Sequence, residues 1–197
     1  MIRWPRPRKP AVDFVDAGAY PFRYAFRLGD VLFISLDATR VGHLSGAEKD
    51  WLRGLLSREG RRARHRVVFS HLPLWPFSVG RENEILGDAE LESILQEGGV
   101  ELHLSGHHHA FYPGFKDGIR YVSQACLGAG PRPLLGTSGH SERSVTVIEF
   151  DEAGAIRVEA LGGATYRQAI ERGALPPRIE SRWATLVRDD LARAPAN

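Results

Sequence analysis

Apolar segments typical of strands alternate with amphipathic segments typical of helices in the first half of the chain, and this alternation restricts the possible folds. Apolar runs stand at residues 31–36, 66–70 and 100–104. After the first run, Ser45 and Glu48 have the spacing of a capping box, and apolar side chains then recur at helical intervals. This pattern predicts an amphipathic helix over residues 45–57.

A second helix is predicted between the later two runs. Asp88 is a suitable N-cap residue, and a glycine pair at 98–99 ends the segment. The apolar residues Leu91, Ile94 and Leu95 lie between them at helical spacing. The order of strand, helix, strand, helix, strand favours parallel strands joined by right-handed crossovers and covered on both faces. The fold class is therefore α/β.

The segments that flank this core are less regular. Residues 1–20 are rich in proline and basic side chains, which predicts an irregular lead-in. A strand is expected within 119–125, and 145–150 and 156–161 have the pattern of an antiparallel hairpin. Residues 163–197 show weak helical patterns around 166–172 and 182–191, which predicts a weakly helical extension. The main domain is thus expected over residues 21–162.

Composition excludes several classes of protein. The chain has 43% hydrophobic and 25% charged residues, as a soluble globular domain does. A net charge of +2 gives no reason to expect specific nucleic-acid binding. No apolar run approaches the roughly 18 residues of a membrane span, and residues 1–7 lack the apolar core of a signal peptide. As written, the chain predicts a cytoplasmic protein, but a preceding segment would leave its compartment open.

Histidines follow two of the predicted parallel strands directly. One strand ends in Val67-Val68-Phe69-Ser70-His71, and the next is followed by Gly106-His107-His108-His109. Ligands of open α/β sheets bind beyond the carboxyl ends of the strands, so these side chains should converge. His107 and His109 would face one centre in extended geometry, whereas His108 would point toward a substrate or solvent. Neutral imidazole is a ligand for Fe, Mn and Zn alike, so the metal is not decided.

Other histidines have simpler explanations. His43 and His140 lie in predicted loops, and His65 and His103 lie in or beside strands, where a structural role is expected. An isolated histidine after a strand would be interpreted in the same way. Two independent strand ends with the same residue type favour a metal site instead.

The residues around these histidines resemble the calcineurin-like metallophosphoesterases, especially the branch similar to purple acid phosphatases. The last two motifs of that family are V-V-x-x-H-x-P and G-H-x-H, which match Val67 to Pro73 and Gly106 to His109. An aromatic strand, a glycine turn and a strand ending in Leu-Asp, upstream of the first helix, also resemble the family. The resemblance covers about residues 22–161.

The resemblance implies a fold, a reaction and a ligand set. It implies the C-terminal half of a four-layer α/β/β/α sandwich and hydrolysis of phosphate mono- or diesters by a metal-activated water. His71 and His107 would bind one metal ion and His109 the other. His108 is then a candidate for substrate binding, as are Trp75 and Tyr112, although each of these also suits packing or a loop lining.

The earlier motifs of the family are absent from this sequence. Neither D-x-H, G-D-x-x-D nor G-N-H occurs, so the bridging aspartate and the asparagine ligand are missing. We therefore expect a C-terminal half that holds a dinuclear centre only when the N-terminal half is supplied, for instance as a separate chain. Such a half should be weak or inactive alone, should leave the strand at 31–36 with an unpaired edge, and should aggregate or bind a complementary chain.

Three hypotheses remain open at this point. The chain is part of a metal-dependent phosphoesterase interrupted by a wrong start codon, a frameshift or a split gene. Alternatively, it is a noncatalytic relic or binding module that retains a half-site of three histidines. A third hypothesis is a self-sufficient hydrolase with a single metal on three histidines, which would need a base elsewhere in the chain.

Overall fold

The computed structural model describes residues 9–192, and it contains both predicted helices and the predicted strands between them. Helix α1 spans Gly46–Arg58, and helix α2 spans Ala89–Glu97. The strands in chain order are β1 Asp13–Ala19, β2 Arg23–Leu28, β3 Val31–Ser35, β4 His65–Ser70, β5 Leu102–Ser105, β6 Tyr112–Lys116, β7 Ile119–Ser123, β8 Val145–Phe150, β9 Ile156–Gly162, β10 Gln168–Ala169, β11 Arg178–Glu180 and β12 Thr185–Arg188.

The strands of the described region form two sheets. The larger has nine strands in the order β1-β2-β3-β4-β5-β7-β6-β12-β11, and the smaller has the order β10-β9-β8. Strands β3, β4, β5 and β7 are parallel neighbours, and the outer strands of the large sheet are antiparallel. The predicted α/β class, with a parallel core followed by antiparallel strands, is confirmed.

Each face of the large sheet has its own apolar cover. Leu52 of α1 and Leu91 of α2 belong to the same buried cluster as Ile34 and Val68 of the sheet. On the opposite face, Val67 belongs to a cluster that includes Val158 and Ala160 of the small sheet. Helices, large sheet and small sheet thus form three successive layers, which agrees with part of an α/β/β/α sandwich.

Side-chain caps determine where both helices begin. Ser45 Oγ accepts from Glu48 N, and Glu48 Oε2 accepts from Ser45 N over 3.0 Å, which completes the predicted capping box. Asp88 Oδ1 accepts from Leu91 N over 3.1 Å at the start of α2. These bonds satisfy backbone donors that have no partner within the helix.

The prediction of an irregular lead-in over residues 1–20 is wrong for 13–19, which form β1. The register of β1 against β2 shifts after Phe14 and again after Asp16, so the period of two that marks a strand is interrupted. Packing supplies what the pattern lacks, because Phe14 contacts Tyr24 and Phe26 edge to face. Residues 1–8 lie outside the described region.

The weakly helical extension predicted over 163–197 is also wrong within the described residues. Strands β10, β11 and β12 occupy this region, with short 3-10 turns at Arg172–Ala174 and Asp189–Leu191. Ile179 and Leu186 are buried, and β12 pairs with β6, so tertiary contacts override the weak local preference. Residues 193–197 lie outside the described region.

The first apolar strand is not an edge. β3 pairs with β4 on one side and with the antiparallel β2 on the other, and β1 extends the sheet beyond β2. The expectation that the strand at 31–36 has an unpaired edge is therefore wrong. Between residues 9 and 192, no helix has the length and apolarity needed to cross a bilayer.

Candidate metal centre

The two histidine segments leave adjacent strands at the same edge of the large sheet. β4 and β5 are parallel, with Ser70 opposite Ser105. The next residue of each strand continues this pairing, since Gly106 N donates to His71 O over 3.1 Å. The expected convergence of the two strand ends is confirmed, while the assignment of these histidines as metal ligands stays a prediction.

His71 and His107 form the centre of the site. His71 Nε2 lies 3.0 Å from His107 Nδ1, and the rings meet at 69° with centroids 4.9 Å apart. His71 is exposed, whereas His107 is half-buried. Partial loss of solvent around its ring lowers the pKa of His71, and the neighbouring His107 and His109 lower this pKa further. The neutral imidazole that metal binding requires is therefore favoured at His71.

The backbone of the second segment is twisted, not extended. His107 has a φ of 61° and His109 a φ of 53°, both in the left-handed region that side chains other than glycine seldom adopt. This conformation costs free energy and persists only where surrounding contacts enforce it. The expectation that His107 and His109 lie in an extended segment is therefore wrong.

His109 lies near the His71 and His107 pair but is bonded to a different loop. It is half-buried, and its Nδ1 lies 3.2 Å from the carbonyl oxygen of Gly130, which accepts from an Nδ1–H. That bond leaves Nε2 as the nitrogen with a lone pair. His109 lies close enough to lower the pKa of His71, but its ring makes no direct bond to the His71 and His107 pair.

His108 does not face a substrate or solvent, and that expectation is wrong. Its side chain is completely buried, and its Nδ1 accepts from Phe77 N over 3.0 Å and from Ser78 N over 3.2 Å. The opposite nitrogen, Nε2, then carries the proton and donates to the Glu84 carbonyl oxygen over 3.2 Å. Burial lowers the pKa of His108 to about 4. The residue joins the histidine segment to the loop between β4 and α2.

Glu84 and Arg81 belong to the site, although no sequence motif distinguished them. Glu84 Oε2 lies 2.6 Å from His107 Nε2, and Arg81 contacts the same carboxylate oxygen. Arg81 and then His107 lower the pKa of Glu84 below its usual value. Both residues lie in the loop before α2, where spacing alone gives no signal of their proximity to His107.

The geometry of the histidine pair fits one side of a metal site. Two nitrogen ligands at about 2.1 Å from one ion would be roughly 3 Å apart at a right angle and about 3.4 Å apart at the tetrahedral angle of a zinc site. The separation of 3.0 Å between His71 Nε2 and His107 Nδ1 lies near this range and is also a hydrogen-bond distance. As arranged among residues 9–192, however, no group of three or more His, Cys, Asp or Glu side chains could hold a metal ion.

The remaining candidates lie elsewhere. Trp75 and Tyr112 are buried, so neither is available to a substrate at the surface. His65 and His103 are buried within the sheet, as a structural role requires.

The loop that follows β3 adds a cavity of 570 Å³ at the carboxyl edge of the sheet, lined by Arg40 among others. This loop adjoins the site, because Leu72 N donates to the Ala38 carbonyl oxygen over 3.1 Å.

Comparison with known sequences identifies phosphatases as relatives. The chain is 32% identical over 136 residues to the bovine serine/threonine-protein phosphatase CPPED1, a match that covers 63% of this chain and 42% of the relative. The zebrafish CPPED1 is 29% identical over 138 residues, covering 64% and 43%. The chain therefore spans about two fifths of the length of the curated relatives that it matches. No family model matches the sequence.

Solved structures share the fold at low sequence identity. The purple acid phosphatase PPD1 of yellow lupin superposes with a TM-score of 0.60 at 14% identity, over 76% of this chain and 32% of the phosphatase. GAP50, the anchor in the inner membrane complex of Plasmodium, gives 0.56 at 16% identity, over 77% and 54%. The match to relatives named as phosphatases and the fold shared with a purple acid phosphatase both agree with the resemblance to the calcineurin-like metallophosphoesterases that the two histidine motifs predicted.

Proposed function

We propose that this chain contributes the histidine side of the metal centre in a phosphoesterase that hydrolyses phosphate mono- or diesters. The contact between His71 Nε2 and His107 Nδ1, at adjacent strand ends, carries this proposal. The relatives named as serine/threonine phosphatases support phosphorylated protein side chains as the first substrate class to test.

The ligand assignment follows the family resemblance and the positions of the nitrogen atoms. His71 and His107 would hold one ion, and His109 would offer its Nε2 to the other. Iron, manganese and zinc all suit imidazole ligands. When bound, such ions lower the pKa of a water molecule and neutralise phosphoryl oxygens.

The carboxylate ligands of a dinuclear centre would come from a further polypeptide segment, in the same product or as a separate chain. The face of the large sheet opposite the helices offers a surface for it. Phe26 and Phe33 stack there with centroids 5.1 Å apart, and Tyr24 meets Phe69 and Phe14 at 6.0 Å. All five rings are only half-buried, so a second segment packed there would remove apolar surface from water.

The test begins with the DNA upstream of this reading frame, translated in all three frames. We expect D-x-H, G-D-x-x-D and G-N-H motifs within about 150 codons, roughly the size of one domain. If all three frames lack them, the idea of an interrupted gene fails.

The joined polypeptide, loaded with manganese or zinc, should hydrolyse a chromogenic phosphate ester. His71→Ala should lower the rate at least about 100-fold if each ligand contributes several kcal/mol to transition-state stabilisation. His140→Ala, an exposed histidine that is not one of the proposed ligands, is the matched control and should retain the wild-type rate. A folded, metal-loaded product that hydrolyses neither monoesters nor diesters would overturn the proposal.

A second candidate is a metal-free binding module, and one observation favours it. Both ring nitrogens of His107 are already partnered within the protein, by His71 and by Glu84. Metal analysis of the purified chain separates the two candidates. Stoichiometric metal that disappears in His107→Ala supports the phosphoesterase, whereas its absence from the wild type supports the module.

A further inference from the structure

Glu84 is held from both ends beside the histidine pair. Its carboxylate contacts Arg81 and lies 2.6 Å from His107 Nε2. Its backbone carbonyl accepts from His108 Nε2–H over 3.2 Å, and His108 is itself buried and fixed by Phe77 N. Contacts to both the side chain and the backbone of Glu84 therefore hold it beside His107.

The contact decides where the proton of a neutral His107 lies. An ionised carboxylate only accepts hydrogen bonds, so the nitrogen that faces Glu84 must be the protonated Nε2. Neutral imidazole carries a single N–H, and Nδ1 is therefore left with a lone pair. That lone pair is directed at His71, since Nδ1 lies 3.0 Å from His71 Nε2.

We propose that Glu84 is a positioning residue that fixes His107 as its Nε2–H tautomer, so that Nδ1 keeps its lone pair on the side of His71 Nε2. Carboxylates that accept from the distal nitrogen of a ligating histidine orient the ring and raise its basicity. The consequence for metal affinity rests on the proposed function, whereas the tautomer is a property of the metal-free chain. Glu84 acts through His107 and need not touch a substrate.

The first experiment measures the tautomer in the metal-free protein, by NMR of the chain labelled with ¹⁵N at histidine. The wild type should show His107 with a protonated Nε2 and a strongly deshielded, slowly exchanging proton. Glu84→Ala should lose that proton signal and give a mixture of tautomers, and Glu84→Gln should retain part of the signal because its amide oxygen still accepts. Glu82→Gln is the matched control, because it lies in the same loop and keeps the acceptor that Gly80 N uses.

The second experiment measures zinc affinity by competition with a chromogenic chelator. Loss of a carboxylate behind a ligating histidine typically lowers metal affinity about 10- to 100-fold, and we expect this for Glu84→Ala but not for Glu82→Gln. Unchanged His108 resonances in the variant would show that the loop keeps its structure.

The outcomes separate the two proposals. Protonation of His107 at Nδ1 in the wild type, or an unchanged tautomer in Glu84→Ala, overturns the role of Glu84. A wild type that binds zinc with the same affinity as Glu84→Ala overturns its effect on the metal. A wild type that shows the expected tautomer and binds no zinc contradicts the proposed function and leaves the tautomer assignment in place.

Discussion

His71 Nε2 lies 3.0 Å from His107 Nδ1, although 36 residues separate the two histidines in the chain. The parallel register of β4 and β5, with Ser70 opposite Ser105, produces this contact. A shift of one residue in that register would move every side chain of a strand to the other face of the sheet. The apolar pattern of the strands therefore also fixes the position of the histidines.

The His108→Ala variant should destabilise the fold. The substitution leaves the buried Phe77 N and Ser78 N without the acceptor they share, and an unsatisfied buried donor costs about 1–3 kcal/mol. We expect a loss of at least about 2 kcal/mol in the free energy of unfolding, measured with urea. Unchanged stability would contradict the structural role of His108.

The Asp88→Ala variant should be strongly destabilised. Asp88 is buried, caps α2 and lies 3.0 Å from the buried Lys49 Nζ. Removing one partner of a buried ion pair costs up to about 3–5 kcal/mol. The contact of Lys49 Nζ with Glu90 Oε2, at 2.7 Å, should offset part of this cost. Asp50→Ala, which breaks only the exposed pair with Arg53, should cost less than about 1 kcal/mol in the same urea experiment.

Stability should fall as the pH falls from about 6.5 to about 4. Burial lowers the pKa of His103 from the usual 6.5 to about 4, so only the unfolded chain takes up this proton in that interval. The contribution of His103 to the free energy of unfolding is fully present above pH 6.5. It amounts to about 3.5 kcal/mol, since each pKa unit corresponds to about 1.4 kcal/mol.

Replacing His103 by Gln should reduce the slope of unfolding free energy against pH between those limits. Some slope should remain, because the pKa of His108 is also lowered to about 4. Equal slopes in His103→Gln and the wild type would contradict the assignment.

The isolated chain should self-associate through its half-buried aromatic face or bind a complementary chain. Light scattering after gel filtration should detect species larger than the monomer, and Phe26→Lys should reduce them by placing a charge on that face. Trp183→Lys, an exposed aromatic between β11 and β12 at the opposite edge of the sheet, should not. A monodisperse wild-type monomer with a sharp two-state melt would count against this expectation.

The sequence predicted those elements whose signal is local. The capping box at Ser45 gives the start of α1 to within a residue, and the apolar runs give β3, β4 and β5. The convergence of His71 and His107 followed from a general rule about parallel strands. These parts were predictable because neighbouring residues in the chain carry the information.

The parts that the sequence did not predict depend on distant contacts. β1 is interrupted by register shifts, and β12 forms because it pairs with β6. The burial of His108 depends on the loop that holds Phe77 and Ser78, and Glu84 reaches His107 across 23 residues. No periodicity or motif within a short window indicates such contacts.

Metal binding by the purified chain tests the central claim most directly. Elemental analysis after dialysis against zinc, manganese or iron should give about one bound ion per chain if the two histidines offer a single incomplete site. His71→Ala and His107→Ala should lose this metal, while His140→Ala should retain it. Wild-type protein without stoichiometric metal, or His71→Ala and His107→Ala variants that retain it, would contradict the assignment of His71 and His107 as ligands.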